Sequence, residues 1–235
     1  MSRTEEKAST EEKPVSPASP QVSFSGFPDE ALEFYEGLEA DNSRTYWQAR
    51  KAVYDAAVRR PMEALLAALE PELGPAKIFR PNRDVRFSPD KSPYKTHCGA
   101  VLTRTGGTGY VQVSADGLLV AAGYYATGSD QVERYRRAVA DDVQGAALVR
   151  VVAAVEAAGY RVEGHRLKTM PRGYAKDHPR AGLLRHRTLY AARSWPPEPW
   201  LHTPECAEVV RQGWRDLAPL AEWLAGNVGP SDQAR

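Results

Sequence analysis

The sequence has little cysteine and no long apolar run. Only two of its 235 residues are cysteine, Cys98 and Cys206, which is too few for a disulfide framework or a four-thiolate metal site. In a reducing compartment both would stay as thiols. A mean hydropathy of −0.51 and the lack of a long apolar run argue against a transmembrane helix. We therefore expect a soluble protein with no membrane partner.

Net charge and catalytic motifs are scarce as well. The chain holds 31 Lys and Arg residues against 30 Asp and Glu residues, a formal net charge of +1, so any electrostatic role has to be local. There is no phosphate-binding P-loop, no dinucleotide fingerprint and no G-x-S-x-G elbow. The histidines lack metal-ligand spacing, so we expect neither a metal nor a cofactor. The residues alone do not decide whether the chain is an enzyme.

Three segments are predicted along the chain. Residues 1–21 hold almost no apolar side chain and cannot offset the entropy of ordering, which predicts a disordered tail. They also lack the apolar core and cleavage site of a secretory signal, which favours a cytoplasmic location. Residues 22–228 are expected to form a single domain, and residues 229–235 a short flexible C-terminal tail.

The hydrophobic spacing changes from helical to alternating and back again. Helices are expected to begin near Pro28, near Ser43 and at Ser129, with Pro61 breaking the second helix into two. Further helices are expected over residues 142–158 and 204–224. Alternation predicts an antiparallel meander and one later strand, over residues 83–87, 100–102, 110–113, 118–125 and 188–194. Strands without regular βαβ alternation predict an α+β fold, a central antiparallel sheet flanked by helices.

Basic residues concentrate in two polar segments, the first of which is residues 77–97. Its basic residues are Lys77, Arg80, Arg83, Arg86, Lys91 and Lys95. Only Asp84 and Asp90 oppose them. The turn over residues 88–94 would present hydroxyls and an ammonium beside the end of the strand over 83–87, and such groups hold phosphate or carboxylate well. The alternative is that these charges form ordinary surface ion pairs.

The second basic segment is residues 161–187, in a long connection before the last strand. Its basic residues are Arg161, His165, Arg166, Lys168, Arg172, Lys176, His178, Arg180, Arg185, His186 and Arg187. Only Glu163 and Asp177 oppose them. Connections of this kind often carry functional sites, because a rigid scaffold positions them. If this segment docks against the end of the sheet, the two segments would face one another.

These patterns predict one anion-accepting site. Its candidate ligand-binding residues are Arg83, Arg86, Lys91, Tyr94, Lys95, Lys168 and Arg172. In an enzyme, Asp84 would orient or deprotonate the substrate, His97 or His178 would shuttle protons, and the arginines would stabilise developing negative charge.

Several stretches of the chain resemble domain-of-unknown-function family 2461. They are residues 83–97, which read RDVRFSPDKSPYKTH, the stretch LKTMPRGY at residues 167–174, and Asp177-His178-Pro179. The resemblance runs from about Phe24 to Leu224. It implies one intracellular domain with no assigned activity, so it carries no catalytic role to any residue. Family members often have lysine where this chain has Pro89, which argues against a family-wide role for that position.

Three functions remain open from the sequence. The first is binding of an anionic small molecule, such as a nucleotide or a phosphorylated metabolite. The second is nucleic-acid binding through the same surface, with bases stacked on tyrosines, and the low net charge weighs against it. The tyrosines near that surface are Tyr94, Tyr110, Tyr124, Tyr125 and Tyr174. The third is a structural or interaction protein in which internal carboxylates neutralise the arginines. The oligomeric state is not predicted.

Overall fold

The structure is a computed structural model that describes residues 23–86, 90–104, 107–125 and 127–232. The predicted N-terminal tail, residues 1–21, lies outside these ranges. A helical layer opens the described chain: α1 (Asp29–Ala40), α2 (Arg44–Val53), a π-helical segment (Tyr54–Arg59) and α3 (Arg60–Leu73). The side chain of Ser43 accepts a hydrogen bond from the backbone N–H of Tyr46 at 3.1 Å, so Ser43 is the N-cap of α2, close to where the second helix is predicted to begin.

The expected break at Pro61 is wrong. Helix α2 passes without interruption through the π-helical segment into α3, and Pro61 lies in the first turn of α3. Proline lacks the backbone N–H that would bond four residues back. The wider π-helical turn just before Pro61 accommodates this missing bond.

Six strands of the described ranges form one antiparallel sheet. They are β1 (Ala76–Ile78), β2 (His97–Arg104), β3 (Gly107–Ser114), β4 (Gly117–Tyr124), β5 (Arg161–Glu163) and β6 (Leu189–Trp195). Their order across the sheet is β1-β2-β3-β4-β6-β5. Strands β1 and β5 are therefore the two edges.

The predicted strand over 83–87 is wrong. Its described part lies in the loop between β1 and β2, and its last residue lies outside the described ranges. The loop is tied together by an isolated bridge between Asn82 and Tyr94. The Asp84 carboxylate accepts a hydrogen bond from the backbone N–H of Arg86 at 3.2 Å. Such a side-chain-to-backbone bond stabilises a turn and competes with strand pairing.

The second half of the chain supplies the remaining helices. They are α4 (Ser129–Ala140), α5 (Asp142–Ala157), α6 (Ala181–Leu184), a 3-10 turn (Pro199–His202) and α7 (Glu205–Asn227). Helix α4 begins at Ser129, but its N-cap is Gly128, whose N–H donates to the Gln131 side chain at 3.0 Å. The predicted α+β class, with an antiparallel sheet flanked by helices, is confirmed.

The core lies between the helices and one face of the sheet. The register aligns Ala100, Val111 and Val120 across β2, β3 and β4, and all three have 0% exposure. Helix α7 packs on β3 and β4 above this row. The neighbouring row, which includes Val101 and Ala121, points to the opposite face and lies outside the contiguous core cluster. The described helices therefore cover one face of the sheet only.

The described part of the predicted C-terminal tail, residues 229–232, lies against α4. Gln131 donates to the carbonyl of Gly229 at 2.7 Å, and the Asp130 carboxylate accepts from Ser231 at 2.9 Å and from the backbone of Asp232 at 2.8 Å. Residues 233–235 lie outside the described ranges. None of the described helices is long and apolar enough to cross a bilayer.

We predict that Asn42→Ala destabilises the fold by about 2 kcal/mol. The Asn42 amide donates to the carbonyl of Tyr94 and accepts from its N–H, both at 3.1 Å, so the substitution leaves two part-buried backbone groups unpaired. Urea denaturation measures the change. The control Gln48→Ala, at an exposed position of α2, should stay within about 0.5 kcal/mol of wild type. Equal free energies of unfolding for the two variants would contradict the prediction.

Candidate functional site

A groove of about 700 Å³ lies on the uncovered face of the sheet. Its floor contains the side-chain row Val101, Tyr110, Ala121 and Ala192, which the register places side by side on β2, β3, β4 and β6. Leu119, two residues before Ala121, lies in the next row on the same face. No residue of a described helix lines the groove. The floor is mostly apolar, although it faces away from the core.

Small residues make this floor concave. A Cβ added at Gly99 would lie 2.2 Å from the hydroxyl oxygen of Tyr110, so the tyrosine ring lies across the strand only because that position is glycine. The Tyr110 hydroxyl donates to the Gln112 side chain at 2.8 Å. Burial raises the pKa of Tyr110 to about 12, which keeps this hydroxyl protonated.

The end of the groove near β2 is positively charged. Lys95 Nζ donates to the carbonyl of Arg80 at 3.1 Å and lies 5.0 Å from the ring centroid of Phe79. Burial lowers the pKa of Lys95, and nearby Arg80 and Arg83 lower it further. His97 lies beside it, and burial lowers the pKa of His97 too, with further lowering by Lys95 and Arg83.

No carboxylate offsets this charge at close range. Within the described ranges, neither Lys95 nor His97 has a carboxylate oxygen within 4.0 Å. The charge of Lys95 is therefore held in a partly buried position by a backbone carbonyl and an aromatic face.

The opposite end of the groove, at β5, combines aromatic and charged groups. Tyr190 donates to the Glu163 carboxylate at 3.1 Å, and the ring centroids of Tyr125 and Tyr190 are 5.4 Å apart. Arg161 lines the same end. A second groove of about 570 Å³ continues from there and is lined in part by Arg166.

A family model described as conserved hypothetical protein, DUF2461, matches residues 30–223, which is most of the chain. The chain belongs to this family. The resemblance identified from the sequence is thereby confirmed. No curated protein matches the chain. The family description names no activity, so the roles of individual residues rest on the geometry of this DUF2461 chain alone.

Most of the site residues predicted in the first segment form local ion pairs and contacts outside the groove. Arg83 pairs with Asp90. Arg86 pairs with Asp84 at 2.7 Å, and this hydrogen bonding lowers the pKa of Asp84 to about 2. Lys91 donates to a backbone carbonyl at 2.9 Å. Of this segment's predicted residues, only Lys95 and His97 line the groove.

Tyr94, predicted as a ligand-binding residue, lies in the core. Its side chain is 7% exposed, and its ring stacks on Trp47 with centroids 4.3 Å apart. This contact joins the loop before β2 to helix α2. The sequence predicts a polar role for this phenol in the turn, but in the structure its ring makes an apolar contact.

The predicted residues of the second segment do not meet those of the first. Lys168 and Arg172 are exposed in the loop after β5, and His178 Nδ1 accepts a hydrogen bond from the backbone of Arg180 at 3.0 Å. None of them lines the groove. Strands β1 and β5 are opposite edges of the sheet, and five strand spacings of about 4.8 Å put these edges on the order of 24 Å apart.

The floor of the groove and most of its β5 end are not predicted by the sequence patterns. These patterns place Leu119, Ala121, Ala192 and Tyr190 in strands and give them no role in a site. A signal was present, because the β4 sequence GLLVAAGY is apolar at successive positions instead of alternating. Such a strand has apolar side chains on both faces.

Neither a reactive thiolate nor a metal site is found among the described residues. Burial raises the pKa of Cys98 to about 11 and that of Cys206 to about 12, so neither thiol is a thiolate at neutral pH. Across the described ranges, no group of three His, Cys, Asp or Glu side chains is placed to hold a metal ion.

We predict that His97 makes the fold less stable in acid. Burial holds the folded-state pKa of His97 below the ordinary value of 6.5. The contribution of neutral His97 to the free energy of unfolding is therefore fully present above about pH 6.5 and is lost as the pH falls through the folded-state pKa. Urea denaturation between about pH 7.5 and 5 should show a shallower loss for His97→Gln than for wild type. The exposed His165→Gln is the matched control and should follow wild type. Parallel curves for all three proteins would refute the prediction.

Proposed function

We propose that this protein binds an anionic small molecule, a nucleotide or a phosphorylated metabolite, in the groove on the open face of the sheet. The observation that carries the proposal is the position of Lys95: it is partly buried, lines the groove and has no carboxylate within 4.0 Å among the described residues. The anionic group of the ligand would lie beside Lys95 and His97.

Electrostatics favours an anion at this end. Arg80 and Arg83 both oppose the charge of Lys95, as their effect on its pKa indicates. A bound anion would offset this repulsion. Two opposite unit charges 4 Å apart attract one another by about 1 kcal/mol in water and by about 4 kcal/mol at an effective dielectric constant of 20. The partly buried environment of Lys95 lies between these two cases.

The shape and apolar floor of the groove favour a ligand with a planar or apolar body. A volume of about 700 Å³ falls in the range of small-molecule sites, roughly 300 to 1,000 Å³. The Phe79 ring is 39% exposed and lies 6.3 Å from the Tyr110 ring, so it offers a face on which a base or other ring can stack.

His97 is the candidate acid–base group that lines this groove. With a pKa below 6.5 it is mostly neutral at pH 7, so one ring nitrogen can accept a hydrogen bond or a proton from the ligand. Asp84 and His178, the other two candidates, lie outside the groove. Any proton transfer on the bound ligand would therefore use His97.

A second candidate function is binding of single-stranded nucleic acid across the same face. The observation in its favour is a pair of aromatic rings at each end of the groove, Phe79 with Tyr110 and Tyr125 with Tyr190. Bases of any identity can stack on such rings. The net charge of +1 is low for a protein of this kind.

The third candidate function is that of an interaction protein, and the observation in its favour is the pairing of arginines with carboxylates in the first basic segment. The pairs Arg83–Asp90 and Arg86–Asp84 already use these two arginines, so the proposed anion contacts do not depend on them. Failure of every small anion and every oligonucleotide to bind would favour this third function.

We predict that nucleoside monophosphates raise the thermal unfolding temperature and that Lys95→Gln weakens their binding about tenfold, because it removes a charge-assisted contact. Leu119→Trp should abolish binding by filling the floor while the protein still folds, since Leu119 lies outside the core cluster. Lys91→Gln, an exposed change in the same segment, is the control and should bind like wild type. No shift with any nucleotide, or equal binding by the Lys95 and Lys91 variants, would sink the proposal.

We also predict that the salt dependence of oligonucleotide affinity distinguishes the small-molecule function from the nucleic-acid function. Binding of oligothymidylate should be weak and nonspecific, with no loss of affinity on Leu119→Trp. A steep fall of affinity with salt, close to 0.7 logarithmic units per phosphate contacted, together with loss on Leu119→Trp, would instead support the nucleic-acid function.

A further inference from the structure

Four arginines lie near one another where α4 meets a short ribbon made of residues 165–167 and 185–187. They are Arg136, Arg166, Arg185 and Arg187. The charge of Arg187 acts on Arg136, those of Arg166 and Arg136 act on Tyr135, and those of Arg166 and Arg185 act on His186. The ribbon is held by hydrogen bonds from Leu167 N–H to the carbonyl of Arg185 and from Arg187 N–H to the carbonyl of His165, both 2.8 Å. Arg166 lies opposite His186 in an antiparallel bridge. Three of the four arginines therefore lie within a few residues of one another.

Helix α4 docks on the chain just before this ribbon and adds the fourth arginine. The Tyr135 hydroxyl donates to the carbonyl of Leu183 at 3.0 Å, and Arg136 Nε donates to the carbonyl of Leu184 at 3.3 Å. These contacts hold Arg136 beside the residues that lead into Arg185 and Arg187. The cluster is thus built from two elements that are fixed to each other.

The charges of the cluster are not neutralised by the described part of the protein. None of the four arginines has a carboxylate oxygen within 4.0 Å there. Their neighbours differ: Arg134, also on α4, contacts Asp130 at 3.2 Å, and Arg180 contacts Asp142 at 3.1 Å. Ion pairs with carboxylates are therefore present elsewhere in this region but not in the cluster.

Partial burial of Arg136 and Arg185 makes this arrangement costly unless an anion is present, whereas Arg166 and Arg187 are exposed. Arg185 Nε is buried and has no hydrogen-bond partner. Burial lowers the pKa of Arg136, Tyr174 and Tyr135 oppose this lowering, and the charge of Arg187 adds to it. Guanidinium groups do not deprotonate in proteins, so the repulsion persists at every ordinary pH. A counter-ion with several negative charges would relieve it.

We propose that Arg136, Arg166, Arg185 and Arg187 bind the phosphate groups of a small phosphorylated molecule. Guanidinium forks match phosphate oxygens in pairs, and several forks together suit a ligand with two or more negative charges better than a monovalent ion. Arg166 also lines the groove of about 570 Å³ that continues from the sheet face, so the site is reached from solvent on that side. The proposal uses none of the residues on which the sheet-face function depends.

Pyrophosphate is the probe for this site. Titrations followed by isothermal calorimetry and thermal unfolding, with sodium chloride added to hold ionic strength constant, should show binding to the full chain. Arg187→Gln should weaken pyrophosphate binding about tenfold, and Arg136→Gln with Arg187→Gln about a hundredfold, one charged contact each. Arg187 is exposed and its side chain makes no hydrogen bond or ion pair in the described structure, so the single variant should fold normally.

Arg137→Gln is the matched control, since Arg137 is an exposed arginine on the same helix. It should bind pyrophosphate like wild type. Lys95→Gln should also leave pyrophosphate binding intact, which separates this site from the sheet-face groove. No effect of pyrophosphate beyond that of sodium chloride would overturn the proposal, and so would equal affinities of the Arg187 and Arg137 variants or a loss confined to Lys95→Gln.

Discussion

Helix α7 lies directly on β3 and β4, and a glycine lies at its contact with the sheet. A Cβ at Gly213 would lie 3.1 Å from Val120, closer than side chains ordinarily pack, so the glycine lets the helix approach the strand. Val210, Trp214 and Leu217 on the same helix are buried. This packing gives one face of the sheet its core and leaves the other face to solvent.

The candidate site follows from that one-sided packing. Strand side chains alternate, so each row under α7 has a neighbouring row on the open face. There, Ala121 and Ala192 are small and Tyr110 lies across Gly99, which makes a trough between the two edges of the sheet. The two ends of this trough supply the charges, with Lys95 near β2 and Arg161 on the edge strand β5. An apolar floor between polar ends suits a ligand that has both an anionic group and a ring.

Local signals in the sequence were sufficient for the fold class, whereas the site needed information that no single segment contains. Ser43 caps a helix through its own neighbours, so its role could be predicted. The strand expected over 83–87 failed because Asp84 bonds the backbone two residues ahead, which a count of alternating side chains does not register. Lys168 and Arg172 do not reach the groove that Lys95 and Arg161 line. The sequence could not show this because strand order is a long-range property: nothing near Lys168 indicates that β5 is the far edge.

The most direct test asks whether one face of the sheet is open. Ser194 lies on the groove face of β6, whereas Ala191 faces the helices and is 0% exposed. The native Cys98 and Cys206 are buried thiols and should be silent toward a thiol reagent at pH 8. The account predicts fast labelling of Ser194→Cys in the folded protein and labelling of Ala191→Cys only after unfolding. Equal protection of both cysteines would contradict it, because the groove face would then be covered.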